Sequence, residues 1–221
     1  MQLISVNIAQ PVDVSGTRRG AVRTAIFKRP VAGPVMIRTL NVDGDAQADL
    51  VAHGGVDKAV YAYALDDYAY WVAELGREAP GYGWFGENLT LDGVSSDTVL
   101  VGDVFSVGAA VLQVTQPRIP CFKLEHKMGI RNFPGRFRRS GRTGFYLRVL
   151  EEGSVQAGDQ IHLTSRNPDS ISVRDLSDSR HFRISSAEEI ERIIAIDGLS
   201  ARWRSFLKGR LRRMPPAAKR S

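Results

Sequence analysis

The strongest constraint on the fold is a series of short, strand-like segments that continues to about residue 165. Most are rich in Val, Ile, Tyr and Phe and are bounded by Gly, Asp or Pro, a composition typical of β-strands. Gly-Asp pairs at Gly102 and Gly158 each precede such a segment and indicate turns. The predicted strands include residues 3–8, 35–39, 59–63, 104–107, 110–115, 145–149 and 160–164. Short strands with regular turns favour a closed or nearly closed β-barrel.

One amphipathic helix is predicted among these strands. Its apolar face follows the i, i+3, i+4, i+7 spacing of a helix and consists of Tyr68, Trp71, Val72 and Leu75. Asp66 or Asp67 is the predicted N-cap and Gly76 the predicted end. We expect this helix to lie across the barrel wall.

The pattern becomes helical after Pro168. Residues 172–176 predict a short helix, the capping box at Ser186 opens a second, and a third apolar stripe consists of Leu199, Trp203, Phe206 and Leu207. The sequence therefore predicts a mostly β chain, with a β-barrel domain over residues 1–165 and a small all-α, three-helix domain over residues 166–221. Three short helices bury little apolar surface alone, so they pack either on the barrel or on a second subunit of a homodimer.

Length and composition suit one well-filled domain with a small appendage, because 43% of the 221 residues are hydrophobic. A single cysteine excludes an internal disulfide framework and fits a reducing cytosol. No apolar run approaches the roughly 20 residues that a membrane helix needs. The first residues look like a strand instead of an export signal, so we expect a cytoplasmic protein without a membrane partner.

Positive charge is concentrated in two places. Residues 202–221 carry eight Lys or Arg and no acid, and without them the net charge of +6 would become −2. A second block, residues 118–142, holds eight basic residues and one acid, Glu125. This distribution indicates one basic tail and one basic local site. The tail either aids solubility as a solvated end or steers an acidic electron-donor protein.

Cys121 is the first candidate for chemistry. Two flanking prolines predict a stiff, irregular turn directly after a strand. Positive charge close in sequence stabilises the thiolate form that binds metals, and it comes from Arg118, Lys123 and Lys127. A thiolate is a soft metal ligand, and no second cysteine stands at zinc-finger spacing. The alternative is a buried cysteine that acts only as a small apolar side chain.

Two glycine-containing segments are candidates for ligand binding. His53 is followed by Gly54 and Gly55, directly before a predicted strand, and the glycines allow a ligand to approach the backbone closely. The segment 83–90 contains Asn88, whose amide offers both a donor and an acceptor to a polar ring edge. The alternatives are a tight turn with a hydrogen-bonded histidine and a glycine-bounded start of a strand.

A third candidate segment, residues 136–146, combines arginines with glycines and includes Arg138, Arg142 and Thr143. Guanidinium groups bind phosphate bidentately, so this segment is typical of an anion site. The alternative is a mobile, basic surface loop.

Four motifs together resemble the MOSC family, named for the C-terminal domain of molybdenum cofactor sulfurases. They are Asp49-Leu50-x-x-His53-Gly54-Gly55-x-Asp57-Lys58-Ala59-Val60-Tyr61, Gly86-Glu87-Asn88-Leu89-Thr90, Pro117-Arg118-x-Pro120-Cys121-x-Lys123-Leu124 and Gly141-Arg142-Thr143-Gly144-Phe145-Tyr146. Their order and spacing agree with the family over residues 1–165. The following helices resemble those of the YiiM-type branch, so the likeness covers nearly the whole chain.

The resemblance implies a MOSC-type β-barrel with peripheral helices. It also implies a molybdenum–molybdopterin cofactor whose metal is ligated by Cys121, and reduction of N-hydroxylated bases such as 6-hydroxylaminopurine. The other candidate catalytic residue is His53, which we expect to supply or relay a proton because the pKa of a histidine lies near neutrality. The residues expected to contact the cofactor are Gly54, Gly55, Asn88, Arg118, Lys123, Arg138, Arg142 and Thr143.

Further expectations concern the source of the electrons and two alternative functions. The sequence has no Rossmann fingerprint and no iron–sulfur cysteine set, so electrons must come from a separate reductase protein. One rival is a non-enzymatic carrier that holds molybdenum cofactor or a sulfur atom on Cys121. The other is a nucleic-acid-binding barrel, against which the missing interleaving of aromatic and basic residues argues.

Overall fold

The computed structural model describes residues 1–49, 53–179 and 186–214, and these ranges contain thirteen strands and six α-helices. The strands are β1 (Gln2–Ile8), β2 (Val12–Thr17), β3 (Gly20–Thr24), β4 (Arg29–Pro30), β5 (Val35–Arg38), β6 (Asn41–Val42), β7 (Val60–Ala64), β8 (Leu89–Asp92), β9 (Val104–Val107), β10 (Ala110–Pro117), β11 (Phe145–Glu151), β12 (Gly153–Val155) and β13 (Ile161–Ser165). The helices are α1 (Leu65–Leu75), α2 (Phe122–Met128), α3 (Phe133–Arg139), α4 (Val173–Ser179), α5 (Ala187–Ala195) and α6 (Ala201–Arg213). Within these ranges, no helix is both long enough and apolar enough to cross a membrane.

Eight strands form the main sheet, in the order β13-β9-β10-β11-β7-β8-β1-β4. β7 and β8 pair in parallel, whereas the other ladders described in this sheet are antiparallel. β5, β6 and β12 form a smaller sheet, and β2 and β3 form a separate hairpin. Each of the seven predicted strands falls on an observed strand, although the second, over residues 35–39, lies in the small sheet.

The expected closed barrel is not observed. The start of β1 returns to the turn before β13, where Leu3 donates its N–H to the Asp159 carbonyl oxygen (2.9 Å) and Ile161 donates to the Met1 carbonyl oxygen (2.9 Å). Gly158 also donates its N–H to the Leu3 carbonyl oxygen (2.7 Å), but Gln2 and Gln160 form only an isolated bridge, so no continuous ladder joins the two strands in the described structure. With six helices, the fold is a mixed, sheet-dominated one, and "mostly β" understates its helical part.

An aromatic cluster joins helices α1, α2 and α3 to β7. Trp71 donates its indole N–H to the Tyr63 hydroxyl (2.8 Å) and stacks on Phe137, with ring centroids 5.5 Å apart. The predicted face of α1 is therefore buried here. Its N-cap is Ala64 and not an aspartate, because Asp67 lies in the first turn and its side chain forms a buried ion pair. Gly76 ends the helix at φ 60°, as predicted.

Helices α2 and α3 occupy the basic block, in which an irregular turn and a basic loop were the sequence-based interpretations. Segment 118–121 is indeed irregular, but a helix begins directly after it at Phe122. Phe133 and Phe137 stand at i and i+4 and are fully buried in the aromatic cluster. Apolar burial on one side thus orders a segment whose charge density masks its helical pattern.

The three predicted C-terminal helices are confirmed as α4, α5 and α6. The Ser186 hydroxyl accepts the Glu189 N–H (3.1 Å), which is the donor side of the predicted capping box. Their apolar side chains share one cluster with Val101 and Ile119, which belong to the sheet part of the chain. The stripe is thus buried on the protein's own sheet, while the domain division at residue 165 and the homodimer stay predictions.

This shared core predicts that the helices and the sheet unfold together. Trp203→Ala should lower the free energy of unfolding by about 3–5 kcal/mol, because Trp203 is fully buried between the two parts. Urea denaturation followed by circular dichroism measures this loss, with the exposed Lys208→Ala on the same helix as control. A separate early transition for the helices, with an unchanged midpoint for the sheet, would contradict the shared core.

Candidate functional site

Cys121 lies where two clefts meet. The inner cleft has an empty volume of about 610 Å³ including its mouth, and its lining includes Lys28, Asp45, Tyr61, Asn88 and Arg118. The outer cleft is larger, and its lining includes Arg19, Arg23, Ile119 and Arg202. Residues that line both clefts are Ala48, Asp49, His53, Lys58, Cys121, Lys123 and Tyr146. The chain thus gathers residues distant in sequence around one half-buried thiol.

The turn that carries Cys121 is fixed at both ends. β10 ends at Pro117, and Arg118 donates its backbone N–H to the Gly144 carbonyl oxygen at the start of β11 (3.1 Å). Cys121 is the N-cap residue of α2, and its carbonyl oxygen accepts the Leu124 N–H (3.0 Å). The strand end and the helix start therefore hold the thiol-bearing backbone in one conformation.

Asn88 lines the inner cleft, but its side chain already holds the fold together. Its amide donates to the Asn7 carbonyl oxygen (3.2 Å) and to the Asp45 carboxylate (2.9 Å). Its side-chain oxygen accepts the Tyr61 N–H (3.1 Å). Both amide donors are thus used within the protein. The structure places Asn88 in the cleft wall and leaves only acceptor capacity for a ligand.

Lys28 and Asp45 form a buried ion pair in the inner cleft that sequence reasoning missed. The Lys28 ammonium contacts both oxygens of the Asp45 carboxylate. Asp45 also accepts the Ala9 N–H (2.8 Å). Burial lowers the pKa of Lys28, and the Asp45 carboxylate opposes this shift. No motif connects the two residues, so only the three-dimensional structure could find the pair.

Glu87 organises the loop behind the inner cleft. Its fully buried carboxylate accepts the N–H groups of Gly83 (2.9 Å) and Phe85 (3.0 Å) and contacts the Tyr68 hydroxyl. Nearby, Lys127 donates to the Ile26 carbonyl oxygen (2.7 Å), and its pKa is lowered to about 8, chiefly by burial. The motif Gly86-Glu87-Asn88-Leu89-Thr90 therefore has a partly structural role, because the Glu87 carboxylate accepts hydrogen bonds from the loop amides.

Arg118 is the buried cation of the inner cleft. Its guanidinium lies 4.6 Å from the centroid of the Tyr61 ring and donates to the Phe85 carbonyl oxygen. Tyr61 in turn donates its hydroxyl to the Thr143 carbonyl oxygen (2.8 Å). The buried Thr143 therefore supports the cleft wall through its backbone carbonyl oxygen and not through its hydroxyl.

Two further arginines predicted to hold the cofactor lie elsewhere. Arg138 is an exposed residue of α3 and is absent from the lining of both clefts. Arg142 is paired with the buried Asp67 carboxylate, and its guanidinium lies 4.7 Å from the centroid of the Tyr70 ring. The structure thus brings together Cys121, His53, Asn88, Arg118 and Lys123, and does not bring Arg138, Arg142 or Thr143 to the described clefts.

Gly54 and Gly55 connect His53 to the 3-10 turn Val56–Lys58, but neither is among the residues that line the clefts. Gly55 has φ 94°, a backbone conformation that side chains disfavour, while a Cβ atom there would meet no described atom within 4 Å. By contrast, a Cβ on Gly86 would lie 2.7 Å from the Ile26 side chain. The backbone angle therefore explains Gly55, whereas Gly86 is explained both by its own φ of 85° and by the close approach of Ile26.

His53 lines both clefts together with Cys121, and its ring is neutral at pH 7. Its Nδ1 lies 3.6 Å from an Asp49 carboxylate oxygen. Burial, together with the positive charges of Lys123 and Arg118, lowers the pKa of His53 to about 4 despite Asp49. The sequence analysis predicted that the pKa of His53 lies near neutrality, as suits a proton relay. At pH 7 this imidazole can accept a hydrogen bond or a proton, but it carries no spare proton to donate as an acid.

Comparisons with known proteins agree with the motifs. The family model of the MOSC domain matches residues 49–162. The uncharacterized protein YflK from Bacillus subtilis is 41% identical over 216 residues, which are 96% of each chain. The crystal structure of YiiM from Geobacillus stearothermophilus matches with a TM-score of 0.80 at 33% identity, over 95% of this chain and 98% of that one. A protein named Reductase from Gibberella moniliformis is 38% identical over 154 residues, which are 68% of this chain and 27% of that protein.

The lowered pKa of His53 can be measured directly by NMR titration of its ring resonances, assigned with His53→Gln. We expect a midpoint near pH 4 instead of the ordinary 6.5, and Lys123→Gln should raise it by removing a neighbouring positive charge. The unfolded chain takes up this proton at the higher pH. The stability contributed by neutral His53 is therefore present above pH 6.5 and is lost as the pH falls towards 4. A midpoint at or above 6.5 would contradict the burial of this ring.

Proposed function

Because this chain belongs to the MOSC family as a YiiM-type member, we propose that it is a molybdenum-cofactor-dependent reductase of N-hydroxylated compounds, with Cys121 as the protein ligand of the metal. One observation carries the proposal: the single thiol of the chain lies between two clefts, and the lining of each includes several Lys or Arg residues together with His53 and Tyr146. That setting suits a soft metal centre with an anionic organic part.

The donor set fits such a cofactor. The clefts offer one thiol and one neutral imidazole, together with the cations Lys58, Lys123 and Arg118. One thiolate suits a metal that brings its other ligands with it, and the cations suit a phosphate-bearing pterin. Cys121 would hold the metal, while Lys123 and Arg118 would hold the anionic part. When bound, the cofactor would supply two-electron redox chemistry.

The chain's own residues would orient the substrate and handle protons. Removing the oxygen of R–NHOH as water takes two electrons and two protons and leaves R–NH₂. His53 is neutral at pH 7, so its ring would orient the substrate by a hydrogen bond. The Tyr61 and Tyr146 hydroxyls keep their protons at neutral pH because burial raises their pKa values, whereas burial lowers the pKa of the Lys58 ammonium and makes it the readier proton donor.

Electron supply and location follow from the same proposal. The fungal relative named Reductase supports an oxidoreductase, although this chain matches only 27% of that protein. We propose that a separate reductase protein supplies the electrons here. A cytoplasmic location fits a protein whose one cysteine must stay a free thiol.

The proposal predicts the behaviour of Cys121→Ser in a host that makes the cofactor. The variant should keep its unfolding temperature within about 5 °C, because the change is nearly isosteric. Its molybdenum content and its reduction of 6-hydroxylaminopurine with an artificial electron donor should both fall to background, since a hydroxyl replaces the thiolate ligand.

The control is Lys208→Ala, an exposed residue that is not among those lining the clefts, and it should keep full metal content and turnover. Full activity of Cys121→Ser would refute the proposal. A persulfide on Cys121 after exposure to a cysteine desulfurase, without reductase activity, would favour the sulfur carrier instead.

A further inference from the structure

The β2–β3 hairpin forms one wall of the outer cleft. Its residues Arg19, Val22 and Arg23 line this cleft together with Cys121. The chain that leaves the hairpin, residues 24–26, lines the inner cleft. A displacement of the hairpin would therefore change access to both clefts and to the thiol between them.

Main-chain pairing does not attach the hairpin to the rest of the fold. In the described part of the chain, β2 and β3 pair only with each other, and neither shares a backbone–backbone hydrogen bond with another element. Most of their side chains are exposed, including Val12 at 47%. A two-stranded hairpin alone is only marginally stable in water. The position of this hairpin therefore depends on side-chain contacts.

Two such contacts join the hairpin to the first turn of α2, which begins directly after Cys121. The guanidinium carbon of Arg19 lies 4.8 Å from the centroid of the Phe122 ring. Lys123 donates its ammonium to the Arg23 carbonyl oxygen (3.2 Å). The hairpin is thus held against the same helix turn that positions the thiol.

The third contact is the ion pair between Arg18 and Glu125, whose Nε and Oε1 atoms are 3.1 Å apart. Glu125 is the fixed partner: its side chain is only 14% exposed, and its carboxylate also accepts the Asn132 N–H (2.9 Å). The Arg18 side chain is 57% exposed, and exposed ion pairs stabilise a structure weakly. Arg18 can therefore leave the pair at small cost while Glu125 stays in place.

Both ends of the hairpin are anchored. On the side of β2, Ala9 donates its N–H to the Asp45 carboxylate (2.8 Å). On the side of β3, the Ile26 carbonyl oxygen accepts the Lys127 ammonium (2.7 Å). Only the short segments between these anchors and the strands have to change conformation when the hairpin moves. Fixed ends and weak contacts along the body are typical of an element that opens locally.

We propose that the β2–β3 hairpin is a lid that opens and closes over Cys121, and that the Arg18–Glu125 ion pair is its latch. The latched position, which the structure shows, narrows the way to the thiol, and the open position admits a ligand as wide as a fused ring system. The proposal concerns access alone, so it holds whether Cys121 ligates a metal or carries sulfur.

The lid is tested on the full chain made in a host without the cofactor, in which the single thiol is free to react. The probes are two uncharged reagents, the small N-ethylmaleimide and the bulky N-(1-pyrenyl)maleimide. The readout is the ratio of the bulky to the small rate, divided by the same ratio for glutathione, an unhindered thiol. The thiolate fraction affects both rates equally, so the ratio reports access and not the pKa of the thiol.

We expect this ratio to be well below one in the unsubstituted chain and to rise about threefold in Arg18→Ala, because the latch is removed. Arg18 is not among the residues lining the clefts, so the substitution leaves the shape of the latched cleft unchanged. Arg18→Lys should give an intermediate ratio, because its charge remains while the geometry of the guanidinium is lost.

The matched control is Arg136→Ala, which removes another exposed ion pair, with Glu74 at 2.8 Å, away from the clefts. It should leave the ratio unchanged. A ratio near one in the unsubstituted chain, an unchanged ratio in Arg18→Ala, or an equal rise in Arg136→Ala would overturn the proposal.

Hydrogen exchange on the same proteins separates opening of the lid from general loosening. In Arg18→Ala, the amides of residues 12–24 should exchange about threefold faster, while those of β10 and β11 keep their rates. Unchanged exchange in the hairpin, or equal acceleration in β10 and β11, would overturn the latch. Both measurements work without metal or turnover, so their outcome is independent of the proposed function.

Discussion

The geometry of the site depends on one buried amide, the Asn88 side chain, and on the carboxylate beside it. Asn88 connects the backbones of β1 and β7 and donates to Asp45, which also neutralises the Lys28 ammonium. Hydrogen bonds to buried charged groups contribute roughly 1.5–3 kcal/mol each, and an unsatisfied partner costs more than the bond contributes. The network therefore fixes the parallel β7–β8 junction and the position of the inner cleft together. The network also explains why the polar residue Asn88 lies directly before the start of β8.

Local patterns in the sequence predict the individual strands and helices, but not whether the strands close into a barrel. The strands around Val104 and Phe145 and the capping box at Ser186 follow from periodicity and turn residues, and all are observed. The sequence analysis does not predict helix α3. Five Lys or Arg residues among 131–142 make this segment resemble a basic loop and obscure the helical spacing of its two buried residues, Phe133 and Phe137. The sequence also does not show that the barrel stays open, because closure depends on whether β1 and β13 pair beyond one bridge. That register has no local signal.

The same distinction separates the predicted site residues from those found only in the fold. Cys121, His53 and Lys123 are recognisable because proline, glycine and charge surround them within a few positions, and they do meet at the clefts. Arg142 looks equally suited to a phosphate, yet a partner 75 positions away, Asp67, already binds it. Arg202 is the converse case: it lies in a basic run that indicates a solvated tail, and the helix start brings it to the cleft. Sequence reveals the chemistry a residue can perform, whereas only the fold reveals which charges are already paired.

The central claim is that Cys121 ligates molybdenum. The most direct measurement is an anomalous difference map at the molybdenum absorption edge, from crystals of the protein made in a host that supplies the cofactor. The account predicts one peak within bonding distance of the Cys121 Sγ atom, inside the junction of the two clefts. A molybdenum peak elsewhere on the chain, or a fully ordered cleft without any peak in protein that turns over substrate, would contradict it.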